Sequence, residues 1–169
     1  MLQIVVLAIF PALLVVAAVS DLLTLRIPNW ISLAILGLFL LVAPFAGLSW
    51  LIIGSHLALG AVLLVVGMVM FSLNLLGGGD VKLMAAIGLW TGWLALPAFL
   101  VWAALVGGAL ALTILLFRKG LFLAAFVMKP WILRLHDRQE GIPYGIALAG
   151  GALIVLPQTV WFALAVTPI

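Results

Sequence analysis

Two aspartates carry the chemistry this sequence can do. Asp21 closes one apolar run, "VVAAVSDLLTLRIPNW", and Asp80 opens another, "LLGGGDVKLMAAIGLW". An ionisable group at membrane depth is costly and marks a functional site by default. Two carboxyls about 3 Å apart cannot both ionise and so share one proton. One then takes a proton from water while the other, protonated, polarises a carbonyl. That is aspartic peptide hydrolysis. Three glycines, Gly77, Gly78 and Gly79, precede Asp80. They permit positive φ and close backbone approach, so an extended peptide could hydrogen-bond to bare backbone there, as in strand addition. The plainer alternative is a loop that only turns the chain.

The elements that position these residues follow from composition. Of 169 residues, 69% are hydrophobic and 7% charged, against about a quarter charged in soluble domains. Mean hydropathy is +1.53. In a bilayer only helices or closed barrels satisfy the backbone, and barrels need alternating strands. The runs here are continuous and about twenty residues long, which reads as helix. The expectation is an all-α polytopic membrane protein with six transmembrane helices, near 2–20, 30–48, 50–73, 81–96, 97–117 and 145–166. It forms a single integral-membrane domain, 1–169. The first run has no basic residue before it, so it reads as a retained span and not a cleaved signal peptide. Within the 118–144 connection, "GLFLAAFVMKPWILRL" suits an interfacial helix broken near Pro130.

With six spans, Arg26, Lys82, Arg118, Lys119, Lys129, Arg134 and Arg138 all fall on one side. The positive-inside rule places that side in the cytoplasm and both termini outside. The four acidic residues fall there too; Asp137 and Glu140 read as solvated partners of Arg134 and Arg138. A formal charge of +3 is too small to argue for nucleic acid. Without cysteine there is no disulfide, thiolate nucleophile or Cys-based zinc site, and no H-E-x-x-H is present. Neither cofactor nor metal is expected.

Other residues have two readings. Lys82 either snorkels to anchor its span or tunes the aspartates as a nearby cation. Asn29 reads as a helix N-cap. Tyr144, in "GIPYGIALAGG", either belongs to an interfacial belt or walls the site. His56, near the outer end of its span, reads as an interhelix hydrogen-bonder.

"SDLLTLRIPNWISL" and "GGGDVKLMAAIGLWTGW" resemble the two signatures of type IV prepilin peptidases, the GxGD membrane aspartyl proteases. Gly77, Gly79 and Asp80 supply the motif, with Gly78 at its free position, and "IPYGIALAGG" resembles the family's third segment, with Pro143, Tyr144 and Gly145. The resemblance implies Asp21 and Asp80 as the catalytic pair. It implies a prepilin substrate with a basic leader and hydrophobic stem, cut at the cytoplasmic face of a bacterial inner membrane. Larger members carry a tetracysteine zinc domain and methylate the new N-terminus. This cysteine-free chain is similar to the short peptidases of tight-adherence (Flp) pili, which implies cleavage without methyl transfer. Membrane lipids are its other partners, and no oligomeric state is implied.

A small proton-coupled transporter is the rival reading, since paired membrane aspartates also relay protons. Transporters place such groups near the midplane on broken helices, often in repeated halves. Here the aspartates are interfacial and no repeat is visible.

Overall fold

Segments with no water to satisfy their amides close their hydrogen bonds internally, and every described element of this protein is helical. The structure, a computed structural model, describes residues 2–118, 130–136 and 141–166. Helix α1 is Leu2–Thr24, with a π-helical stretch at Val5–Ile9 just before Pro11, which has no N–H for the preceding turn. It stops at Leu25, whose φ is 53°. Helix α2 is Asn29–Val42, extended by a 3-10 turn at Ala43–Phe45. Helix α3, Trp50–Ser72, is capped by the Ser49 hydroxyl, which accepts from the Ile52 amide at 3.4 Å.

Helix α4, Gly78–Arg118, is two helical arms joined across a kink. A straight helix of its length would hold its ends roughly 60 Å apart. Instead Asp80 and Arg118, near its two ends, line one cavity. The reversal is at Gly92, with φ 65° and ψ 173°, a region open in practice only to glycine. The sequence placed the break between 96 and 97, beside Pro97. Pro97 instead lies inside the second arm. Five residues earlier, glycine offers a conformation that proline cannot, because its ring locks φ near −65°.

Three short helices complete the chain: α5 at Pro130–His136, α6 at Tyr144–Val155 with a 3-10 turn at Leu156–Gln158, and α7 at Val160–Val166. The expected last span, 145–166, is therefore bent, by 55°. Pro157 interrupts the ladder, and Thr159 restarts it by accepting from the Phe162 amide at 3.3 Å. Proline is likewise at the start of α5, where its missing N–H costs nothing. Lys119, Lys129, Asp137, Arg138, Glu140 and the first part of the expected interfacial helix lie outside the described residues.

The two arms of α4 form the centre. The first packs on α3 so closely that a Cβ on Gly60 would meet Leu89 at 2.5 Å, and one on Gly67 would meet Val81 at 2.6 Å. The second packs on α6, where a Cβ on Gly151 would lie 2.8 Å from the Ala103 amide nitrogen. Small residues at helix contacts are the usual membrane solution, since close backbone approach replaces a hydrophobic driving force. Around the Gly92 reversal sits an aromatic cluster. Phe10 stacks on Trp90 at 4.6 Å, and Trp161 contacts Phe39, His56 and Trp90 at 5.3–5.7 Å. His56 is buried there and its Nδ1–H donates to the Leu89 carbonyl at 2.7 Å. It is an interhelix hydrogen-bonder, as its sequence position suggested.

Three helices, α1, α3 and α4, are long and apolar enough to cross a membrane, and α6 with α7 make a fourth if the bent pair counts as one span. Helix α2 is shorter. Leu94, Leu51 and Phe45 point outward almost fully exposed, a surface suited to lipid. Gly92→Val is expected to destabilise the fold by about 3 kcal/mol, through a strained φ and a Cβ placed 2.6 Å from the His56 ring. Thermal unfolding in detergent reads this. Gly108→Ala, whose Cβ meets nothing within 4 Å, is the control and should stay within about 0.5 kcal/mol.

Candidate active site

Asp21 sits in the last turn of α1, inside the helix and buried. The chain turns immediately after it. The Leu25 amide bonds the Asp21 carbonyl at 2.8 Å, and the Ser20 and Thr24 hydroxyls bond the Arg26 carbonyl at 3.0 and 3.1 Å. This turn directs Ile27 back under the carboxylate. A buried carboxylate needs donors, and Asp21 finds one 124 positions away: the Gly145 amide donates to its Oδ2 at 2.6 Å. The donor is available because Gly145 lies in the first turn of α6, where amides have no intrahelical acceptor. Pro143, the residue before that helix, offers no side-chain cap. The positive end of the helix dipole also favours an acid there. No other residue fits at 145. A Cβ would lie 2.7 Å from Ile27 and 2.8 Å from the Asp21 carboxylate oxygen.

Asp80 is the third residue of α4. Its Oδ2 accepts from the Gly77 amide at 3.3 Å, one half of the reciprocal capping box in which an acid at that position satisfies the residue before the helix. Gly77 must be small, since its Cβ would meet the same oxygen at 2.9 Å, and a Cβ on Gly79 would press on Ile27 at 3.2 Å. Gly78 is less constrained, with only the Phe71 ring at 3.5 Å. The expected positive φ is absent from all three, because 78 and 79 already belong to the helix. Close approach, and not unusual backbone angles, is what these glycines supply.

Ile27 thus wedges between Gly79 and Gly145 and draws the two aspartates to one end of the bundle. Asp21 lies close enough to Asp80 to act on its charge. A cavity of about 530 Å³ opens beside Asp80, walled by Gly77, Arg118, Gly141 and Tyr144. Asp21 does not line it. Tyr144 lines this cavity, and its ring lies against Gly107, whose added Cβ would meet the hydroxyl at 3.4 Å. Arg118 is held by its Nε–H donating to the Leu135 carbonyl at 2.7 Å.

Lys82 is elsewhere. It faces a separate groove, and its Nζ donates to the Asn29 carboxamide at 2.8 Å. Asn29 is therefore not a cap. Pro28 holds the N-cap position without a side-chain bond, and the Asn29 side chain is spent on the lysine. Sequence reasoning missed Ile27, whose spacing six residues after Asp21 carried no signal until the turn was known. Among the described residues no group of three His, Cys, Asp or Glu could hold a metal.

The chain is similar to the prepilin leader peptidase/N-methyltransferase of Aeromonas hydrophila, 32% identical over 148 residues, which are 81% of this chain and 44% of that protein. The protein of the same name from Pectobacterium carotovorum subsp. carotovorum is 32% identical over 124 residues, 70% of this chain and 44% of its own length. That of Aeromonas salmonicida is 40% identical over 77 residues, 44% of this chain and 21% of that protein. The chain therefore spans less than half the length of the curated relatives it matches. No solved structure matches it. The model of the type IV leader peptidase family matches residues 8–112, a stretch that holds both aspartates and all three glycines, and the chain belongs to that family, the prepilin peptidases.

Proposed function

We propose that this chain is an aspartic endopeptidase that removes the leaders of Flp-like type IV prepilins at the cytoplasmic face of the bacterial inner membrane. Asp21 and Asp80 are its catalytic pair. The observation that carries this is the convergence, beneath Ile27, of two carboxyls from separate helices, each held by a glycine amide. Capping alone accounts for Asp80. It does not account for a second acid brought to the same place and buried.

The chemistry follows from sharing a proton. The ionised member takes a proton from water, whose oxygen adds to the scissile carbonyl. The protonated member gives its proton toward the carbonyl oxygen. Collapse of the tetrahedral adduct returns a proton to the leaving nitrogen, and the C–N bond breaks. The cavity beside Asp80 gives the peptide its approach, with Tyr144 as one wall. Of the described cations, Arg118 lines the cavity beside Asp80, Lys82 is two residues from Asp80, and Arg26, which shares a cavity with Arg134, precedes the Ile27 that packs on Gly79. By the positive-inside rule this end faces the cytoplasm and six passes put both termini outside. A tetracysteine zinc site has no ligand in this sequence, so the proposal is cleavage without methyl transfer. The transporter reading gains nothing, since the aspartates lie at helix ends and no repeat of the site is present among the described residues.

Asp21→Asn and Asp80→Asn should each lower leader cleavage by about 10²–10⁴-fold while the protein still inserts and folds. Mass spectrometry of a prepilin incubated with the purified enzyme reads the released leader and shows an unmethylated new N-terminus. Cleavage surviving either change would falsify the pair. Gly145→Ala displaces the Asp21 carboxylate and should cost about 10²-fold in kcat, the usual price of a misplacement near 1 Å. Gly79→Ala should cost more than Gly78→Ala, because only the former presses on Ile27. Equal losses at 78 and 79 in the same assay would contradict the wedge.

A further inference from the structure

A second cavity, unconnected to the aspartates, lies between α2, α3 and the first arm of α4. Its volume is about 480 Å³. Each helix supplies one stripe with i, i+3, i+4, i+7 spacing, such as Asn29, Ser32, Leu33 and Leu36 on α2. The slot is therefore about 10 Å long. Its polar groups are graded. Lys82 and Asn29 lie at the end nearer the aspartates, Ser32 one turn deeper, and beyond it only apolar side chains. No residue is shared with the cavity beside Asp80.

Two groups here are incompletely used. The Lys82 ammonium has three donors and gives one to Asn29; among the described residues no carboxylate pairs with it. Ser32 is 7% exposed, and its hydroxyl has no hydrogen-bond partner. The Ser32 oxygen is enclosed by protein, so the polar group that the slot presents to an occupant is the Lys82 ammonium with Asn29 beside it.

We infer that this groove binds one anionic phospholipid, with its phosphate on Lys82 and Asn29 and an acyl chain between the helices. Along the slot a cationic end gives way to apolar walls, as the headgroup of a phospholipid gives way to hydrocarbon. Charge complementarity selects the anion. A transmembrane peptide stem fits less well. A stem seated in this slot would lie on the side of α4 away from the Asp80 cavity.

The test uses the whole chain purified in detergent. Native mass spectrometry should show one retained phospholipid on the wild type. After delipidation, added phosphatidylglycerol should raise Tm more than phosphatidylcholine, and inorganic phosphate should not raise it at all. Ala61→Trp, which fills the slot from an exposed position on α3, should abolish both retention and the Tm response; Ala61→Leu is the milder variant if the first misfolds. Lys82→Gln should keep the lipid but lose about fivefold of the preference for phosphatidylglycerol, the worth of one lysine at an anionic surface. Wild-type lipid retention in both Ala61 variants, or an equal response to inorganic phosphate, overturns the inference. So does unchanged retention in those variants together with a raised KM for prepilin, which would make the slot a stem site.

Discussion

Two acids must be kept in an almost wholly apolar bundle, and the rest of the structure is arranged around that cost. A carboxylate withdrawn from water needs hydrogen-bond donors, and this chain has few polar side chains to give. The donors are backbone amides, one from Gly145 to Asp21 and one from Gly77 to Asp80. Helix N-termini are where such amides are free. The site is therefore built from two helix starts and one helix end, and glycine stands wherever a Cβ would separate amide from acid.

This constraint explains the folding of α4 on itself. Asp80 begins its first arm, and the second arm returns to present Gly107 and Arg118 beside Tyr144. Gly92 makes the return in a single residue, packed under His56 and a cluster of tryptophans at the far end. The aromatic end is hydrogen-bonded across helices. The aspartate end holds the cavities. One end of the bundle thus fixes the geometry that the other uses.

Ile27 shows how an apolar residue can set an active centre. It touches no reacting atom in the proposed chemistry. It does occupy the space that would otherwise let Gly79 and Gly145 slide past one another, and so it sets how near the two acids come. The same end of the bundle keeps two uses of polarity apart. Asp80 faces the cavity walled by Tyr144, while Lys82, two residues on, faces the slot between α2 and α3. A helix turns by roughly 200° over two residues, so adjacent charges need not interact.

Local composition alone determined that this protein is helical and meant for lipid, because a chain without solvent must bond its own backbone. It also marked Asp21 and Asp80, since acids in apolar runs are conspicuous, and marked the glycines before Asp80 and the Pro143–Tyr144–Gly145 turn. What it left open were relations between distant segments. That Gly145 donates to Asp21, that Ile27 wedges the site, that Asn29 serves Lys82 and not its own helix, and that the chain reverses at Gly92 and not at Pro97 all depend on which helices pack together. Hydropathy has no knowledge of partners: it says that a helix is buried in lipid or protein, but not which neighbour satisfies which amide. Tertiary packing decided that, by bringing free helix-end amides to acids far away in sequence.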